Sequence, residues 1–453
     1  MRRPRISTHE LNSEGLCSQV QNAQIAIPSG TCRPLLTSKK GVPWNSSPMG
    51  ITVEELLLFL VVILLPFENT ITILGGSLVK YATLLFLAAA TSRPNQYFAH
   101  WPPGLQFYLG YAFIGFIGDI CSPVSREMKV MELLQPALVG LLIVPIYNYV
   151  LLKGPKRLVF ALIGGSGIYI MFQYFQRFIG QTSDSLRVEG PEMFERVSAL
   201  STDPNFGACF SSIAVIAGCA GLFGLVPLGL VLRCLGLVGS ILGVFGILMS
   251  GSRGGLIACA IGLVTLVSLR QTLMSRLRAL LVLFMLGCVT VSYIGSDPLL
   301  LKRFASTIKD HDVATRDSII SDAISLGLDA PLFGLGAKSH MIVLGRHRGG
   351  EIRGTHNTIV AVFVGTGVAG TLLFFSFVWA AVSSGFRLRG LSYGKLLIGW
   401  SAMLAVGCQS INLESGKLLF IILAIVLAVG NDQWSPRLAN RLSPHWNGNG
   451  SGR

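Results

Sequence analysis

The sequence predicts an all-α polytopic membrane protein with about 12 transmembrane helices and one long outer loop that contains an amphipathic helix. Three observations predict it. Residues of the set AVILMFWYC make up 51% of the 453-residue chain, and the mean hydropathy is +0.62. Only 13% of residues are charged, where a soluble domain carries roughly 25%. Finally, stretches free of Asp, Glu, Lys and Arg recur at lengths that suit a bilayer, since about 20 apolar residues cross about 30 Å of hydrocarbon. These features exclude a soluble enzyme, and nine cysteines in such a length exclude a disulfide-stapled chain. The net charge of +14 is not read as nucleic-acid binding, because membrane proteins collect Lys and Arg in cytoplasmic loops.

The apolar runs fall at 56–67, 69–92 (with Lys80 inside), 94–118, 133–152, 158–176, 204–232, 234–252, 254–269, 279–296, 357–386, 396–413 and 418–431. With residue 1 inside and every run crossing, the inner turns hold Arg93, then Lys153, Lys156 and Arg157, then Arg233, then Arg270, Arg276 and Arg278, then Arg387, Arg389 and Lys395. No acidic residue lies in those turns, so both termini are expected inside. The first run is short and must recruit Glu54 and Glu55 to cross. A Ser-, Asn-, Pro- and Gly-rich tail, 1–50, carries no signal-peptide core and reads as disordered and cytoplasmic; 432–453 forms a second cytoplasmic tail, and 51–431 the membrane domain. Cys209, Cys219, Cys234, Cys259, Cys288 and Cys408 lie in or beside apolar runs without metal-like spacing and read as free packing thiols. Gly236, Gly239, Gly243 and Gly246 read as helix-packing positions.

Two outer segments are long enough for chemistry, about 180–205 and about 297–356. In the second, Ile319, Ile320, Ala323 and Ile324 set a helical stripe over Arg316 to Leu328, predicting an amphipathic helix at the membrane surface that ends at Asp329-Ala330-Pro331. Inside the runs only Lys80 is ionised, and a lysine so near a helix boundary reads first as snorkelling to the interface. Midplane charge is what transporters use, so its scarcity argues against one.

Polar residues gather instead at the outer helix ends. Asp203-Pro204-Asn205 follows Arg196. Ser250-Gly251-Ser252-Arg253-Gly254-Gly255 joins two spans, and there small residues let helix N-terminal amides and a guanidinium face a phosphate. The long loop passes through Pro331-Leu332-Phe333-Gly334-Leu335-Gly336 and re-enters at Gly354-Thr355-His356-Asn357. His356 on the first turn of the 357–386 span is placed to take a proton from a hydroxyl. His311, His340, His347 and His356, with Asp310, Asp312 and Glu351, match no compact ligand motif, and no metal or cofactor is expected. Arg346, His347 and Arg348 read as a solvated loop.

The order Arg196…Asp203-Pro204-Asn205, Ser252-Arg253-Gly254-Gly255, Arg316 with Pro331 to Gly336, and His356-Asn357 with the glycine run 365–370 resembles the O-antigen ligase and O-antigen polymerase superfamily, over about residues 50–430. The resemblance implies a GT-C-like, metal-independent glycosyltransferase of the bacterial inner membrane with its site on the periplasmic face. The implied donor is a glycan on undecaprenyl diphosphate; the implied acceptor is another lipid-linked glycan or lipid A-core. It further implies a diphosphate clamp of Arg253 and Arg316, joined by Arg196, with His356 as catalytic base, and membrane lipids and other polysaccharide assembly proteins as partners. Protein O-oligosaccharyl transfer, with the same donor, and transport of a lipid-linked oligosaccharide or polysaccharide stay open beside it.

Overall fold

The computed structural model of the chain describes residues 50–68, 72–73, 76–128, 130–180, 184–187, 193–197, 203–226, 229–298, 300–302, 305, 316–350, 354–414 and 416–431. The expected tails 1–49 and 432–453, and His311, Asp310, Asp312 and Glu351, lie outside the described residues.

Each of the twelve apolar runs forms a helix. In chain order these are α1 (Val53–Leu64), α2 (Leu78–Ala90), α3 (Leu105–Cys121), α4 (Gln135–Lys153), α5 (Lys156–Phe178), α6 (Pro204–Leu222), α7 (Leu230–Met249), α8 (Arg253–Ser268) and α9 (Leu273–Ser296). The outer segment adds α10 (Arg316–Asp329) and α11 (Ser339–His347); α12 (Thr358–Phe386), α13 (Ser392–Gly407) and α14 (Lys417–Val429) complete the chain order. Two short hairpins were not legible in the apolar pattern: Thr72–Ile73 with Gly76–Ser77, and Asp184–Arg187 with Met193–Arg196.

Among the described residues, α4, α5, α6, α7, α9 and α12 are long and apolar enough to cross a bilayer unaided. The others are shorter. At about 1.5 Å per residue the 13 residues of α14 cover about 20 Å, short of the hydrocarbon thickness. Burial explains how so short a helix is accommodated, since every residue of α14 from Lys417 to Val429 is covered by protein. The core is therefore central: α6 is buried along nearly its whole length and packs on α7, α8, α5 and α13, while α14 packs on α4, α12 and α13. Helix α9 is peripheral, with Ala279 its one fully buried residue, and its apolar surface is suited to lipid.

Helix α6 approaches α7 through small residues. A side chain at Gly218 would run into the Gly236 carbonyl, and one at Gly243 would lie 2.7 Å from Val215 Cγ2. Gly246 leaves room for Gln173, whose amide donates to the Val197 and Gly246 carbonyls at 3.2 and 3.3 Å and whose Oε1 accepts from Ser211 at 3.1 Å. Gly239 differs from the expectation: nothing lies within 4 Å of its Cβ direction, so it is not a packing position.

The turns alternate between two ends of the bundle. Glu54 and Glu55, which weakened the first span on paper, meet cations from the two neighbouring turns: Arg93 lies 3.2 Å from Glu54, and Arg157 and Lys153 lie 3.1 and 3.8 Å from Glu55. These acids sit at the foot of α1 facing the basic turns, so they anchor that helix rather than oppose it. At the other end the turns after α1, α3, α5 and α13 meet the outer segment around one polar cavity.

Candidate functional site

Two devices bring the outer segment to the bundle. The first is a break in α12. Gly367 adopts φ 63°, ψ −167°, a conformation open only to glycine, and it frees the amides that follow. The turn at Pro331–Phe333 takes them up: Val368 N donates to the Pro331 carbonyl at 2.8 Å and Ala369 N to the Leu332 carbonyl at 3.2 Å. In return Leu335 N and Gly336 N donate to the Val364 and Gly365 carbonyls at 2.9 and 2.8 Å. The Pro331–Gly336 motif and the glycine run are thus two halves of one seam. Irregular backbone inside a membrane protein survives only where protein satisfies it, as here. The second device is Asp119 at the end of α3, whose Oδ1 accepts from Lys338 N (2.9 Å), Ser339 N (2.8 Å) and Ser339 Oγ (2.9 Å) and so caps α11 from another helix.

Helix α10 starts and ends where the sequence predicts, and part of its stripe is used inside the protein while Ile324 stays exposed. Ile319, Ala323 and Gly327 are buried against α12, and Gly327 brings the helix next to Phe363. Arg348 of the basic trio pairs with Asp322 and donates to Ser318 at 3.2 Å, tying α11 to α10.

His356 lies just before α12, not on its first turn. Asn357 is the N-cap, its Oδ1 accepting from Ile359 N (3.0 Å) and Val360 N (3.2 Å), and His356 itself takes φ 51°. It is the one non-glycine residue with positive φ among the described residues. That left-handed backbone costs about 1 kcal/mol, and the neighbours over-determine it. Thr355 Oγ1 donates to the Asn357 carbonyl at 2.9 Å, Thr358 Oγ1 donates to the Ile411 carbonyl at 2.7 Å, and Thr358 N donates to the Cys408 carbonyl at 2.7 Å. The histidine is thereby stitched to the turn between α13 and α14.

His356 and Asp203 line one polar cavity of about 290 Å³, together with Lys338, Asn412, Glu414 and Glu68. Asp203 caps α6 by accepting from Asn205 N at 2.8 Å and from Asn205 Nδ2 at 2.9 Å. Burial lowers the pKa of Arg316 below the usual guanidinium value; the Asp203 carboxylate raises it in part, and the Arg253 guanidinium adds to the lowering. Arg316, Asp203 and Arg253 therefore act on one another beside the cavity. In Ser250–Gly255, Ser252 Oγ accepts from Gly255 N at 3.0 Å, and the glycines also serve packing, with Ser410 Oγ and Ala208 Cβ where side chains at 254 and 255 would go. Arg196 ends its hairpin strand, and its side chain lies outside the described residues.

Sequence reasoning missed Glu414. It lines the cavity and is 3% exposed; its Oε2 has no hydrogen-bond partner among the described residues, and burial raises its pKa, partly offset by Lys338. A signal existed, since it is the only acidic residue between Glu351 and Asp432. Glu68, the only one between Glu55 and Asp119, was likewise readable; it pairs with Lys417 in the buried floor of the site. Lys80 sits in the first turn of α2, where its backbone N–H is capped by Ser77 Oγ at 3.3 Å, which fits a boundary residue rather than a midplane charge.

The cavity thus presents one cation, Lys338, one histidine, His356, and the carboxyl groups of Glu68, Asp203 and Glu414 at one end of a bundle of apolar helices, while Arg253 and Arg316 are not among its lining residues. No curated protein matches the chain. Residues 238–375, from α7 to the middle of α12 and including Arg253, Arg316 and His356, are similar to the family model Wzy_C, described as O-antigen ligase.

Proposed function

We propose that the chain is a twelve-span inner-membrane glycosyltransferase that moves a glycan from undecaprenyl diphosphate to a hydroxyl of a glycan or lipid A-core acceptor at the periplasmic face. The observation that carries the reading is that His356, in a held left-handed conformation, and Asp203 line one cavity at one end of the bundle, while Asp203 and Arg253 both act electrostatically on Arg316. The Wzy_C match over the segment that holds three of those residues supports the class of reaction.

In the proposed step the acceptor oxygen attacks the anomeric carbon as the bond from that carbon to the diphosphate oxygen breaks. The bond electrons leave with undecaprenyl diphosphate, and the hydroxyl proton passes to the neutral imidazole of His356. Negative charge grows on the leaving oxygens, and Arg253 and Arg316 stabilise it in a poorly hydrated setting; a planar fork suits phosphate oxygens better than an ammonium does. Glu414, half of whose carboxyl group is unpartnered, faces the same space and would accept a hydrogen bond from the sugar or oppose the charge on the imidazolium. Asp203 keeps the two guanidiniums from repelling one another before donor binds. Attack opposite the diphosphate inverts the anomeric centre. The scarcity of charge inside the apolar runs, where Lys80 alone is ionised, favours this reading over transport.

The test is a glycan analysis of a strain lacking the gene. Single repeat units accumulating on undecaprenyl diphosphate are expected of a polymerase, and long chains retained on that carrier of a ligase; intermediates held at the cytoplasmic face would overturn both.

A further inference from the structure

A second cavity of about 330 Å³ lies between the C-terminal ends of α8 and α12, the second half of α13 and the middle of α14. Its wall is apolar, with Val382, Ile398 and Leu423 on three different helices. Arg389 stands in its lining, the guanidinium 5.0 Å from the centre of the Phe386 ring, and forms no salt bridge among the described residues. Ser401 Oγ, also in the lining, is buried without a hydrogen-bond partner among the described residues.

The charge around this cavity is one-sided. Residues 253–296 and 352–413 contain no Asp or Glu, yet they hold Arg270, Arg276, Arg278, Arg387, Arg389 and Lys395 in the turns at this end. An apolar chamber between helices with an unpaired guanidinium at its mouth suits a molecule with a long hydrocarbon chain and a phosphate at its head. Cytoplasmic-leaflet anionic lipids have that chemistry, and basic pockets between spans bind them. A zwitterionic lipid would gain the chain contacts but not the net charge.

We infer that this cavity is a binding site for an anionic glycerophospholipid, with one acyl chain between α12, α13 and α14 and its phosphate at Arg389. The site is independent of the glycosyl-transfer reading, since none of its residues lines the polar cavity.

Native mass spectrometry of the full chain in detergent, titrated with phosphatidylglycerol and with phosphatidylcholine of the same acyl chains, tests it. Preferential retention of phosphatidylglycerol is expected, with retention roughly fivefold weaker in Arg389→Ala and largely kept in Arg389→Lys. Equal retention of the two lipids, or no effect of Arg389→Ala, would overturn the proposal. So would displacement of phosphatidylglycerol by undecaprenyl phosphate at equimolar concentration, which would make this a carrier-lipid site. Should the variants misfold, phosphatidylglycerol bearing a photoreactive acyl chain is to be crosslinked to the unaltered protein. Adducts in peptides covering 381–389 and 398–405 are expected, and adducts spread evenly over the lipid-facing helices would contradict the assignment.

Discussion

His356 shows how neighbouring hydrogen bonds hold a single unfavourable backbone angle at the edge of a cavity. A left-handed histidine at the mouth of a helix is unfavourable by itself, and three hydrogen bonds from Thr355 and Thr358 hold it there. Replacing it with Ala is expected to lower transfer by roughly 10²- to 10⁴-fold at unchanged abundance in the membrane, as measured by product formation in isolated membranes. Glu414→Gln keeps shape and removes the buried charge, so the protein should fold. If the carboxylate is the working form, activity is present above its pKa and lost as pH falls through it. Because burial raises that pKa, the acid limb of the pH–rate profile should lie above the ordinary carboxylate range and should disappear in Glu414→Gln. An unchanged limb would remove Glu414 from the site. His356 was legible because a histidine at the edge of an apolar run stands out. Glu414 was equally isolated in sequence, but a lone acid near a helix end looks like any boundary residue until the turn that buries it is seen.

At the scale of elements, the seam between Pro331–Gly336 and the broken α12 organises the site. Gly367→Ala forces a β-carbon into a glycine-only conformation against the Leu332 backbone, and a loss of about 1–3 kcal/mol is expected, visible as a lowered midpoint in thermal unfolding. His340 is buried in the same seam, its Nδ1 3.1 Å from the Gly336 carbonyl, and burial lowers its pKa to about 4. Unfolded, it titrates near 6.5. Between these values the unfolded chain binds the extra proton, so stability is full above about pH 6.5 and is lost as pH falls toward 4, by about 3 kcal/mol over the window. Unfolding midpoints across that range should fall in the native protein and fall less in His340→Gln. The sequence marked both glycine motifs but not their partnership, because a helix break is only stable if a distant segment repairs it, and that pairing of the turn at 331–336 with residues 364–369 leaves no local periodicity. The same blindness applied to α10: its stripe announced an amphipathic helix, and nothing in spacing distinguishes lipid from the flank of α12 as the surface it meets.

For the whole molecule, one end gathers the acids of α1 with the basic turns and the other gathers the polar cavity. Twelve apolar runs, with alternate turns basic and free of acidic residues, were enough to read the helices in order, because each helix satisfies its own backbone. Which short helices are shielded by protein was not readable, since burial of α14 depends on neighbours far away in sequence. The proposed orientation makes a checkable statement about exposed residues. In a background without native cysteines, Arg346→Cys should react with a membrane-impermeant maleimide in intact spheroplasts, and Arg276→Cys only after permeabilisation; the reverse pattern would invert the molecule.

The most direct measurement of the central claim is transfer by the purified protein from a defined undecaprenyl-diphosphate glycan, comparing the native chain with Arg253→Lys and His356→Ala. Released undecaprenyl diphosphate matched by new glycosidic product is expected for the native chain, with Arg253→Lys reduced roughly 10²-fold or more because a point charge does not replace the fork. Full turnover in both variants, or no turnover by the native chain with its accumulated cellular intermediate as donor, would contradict the account.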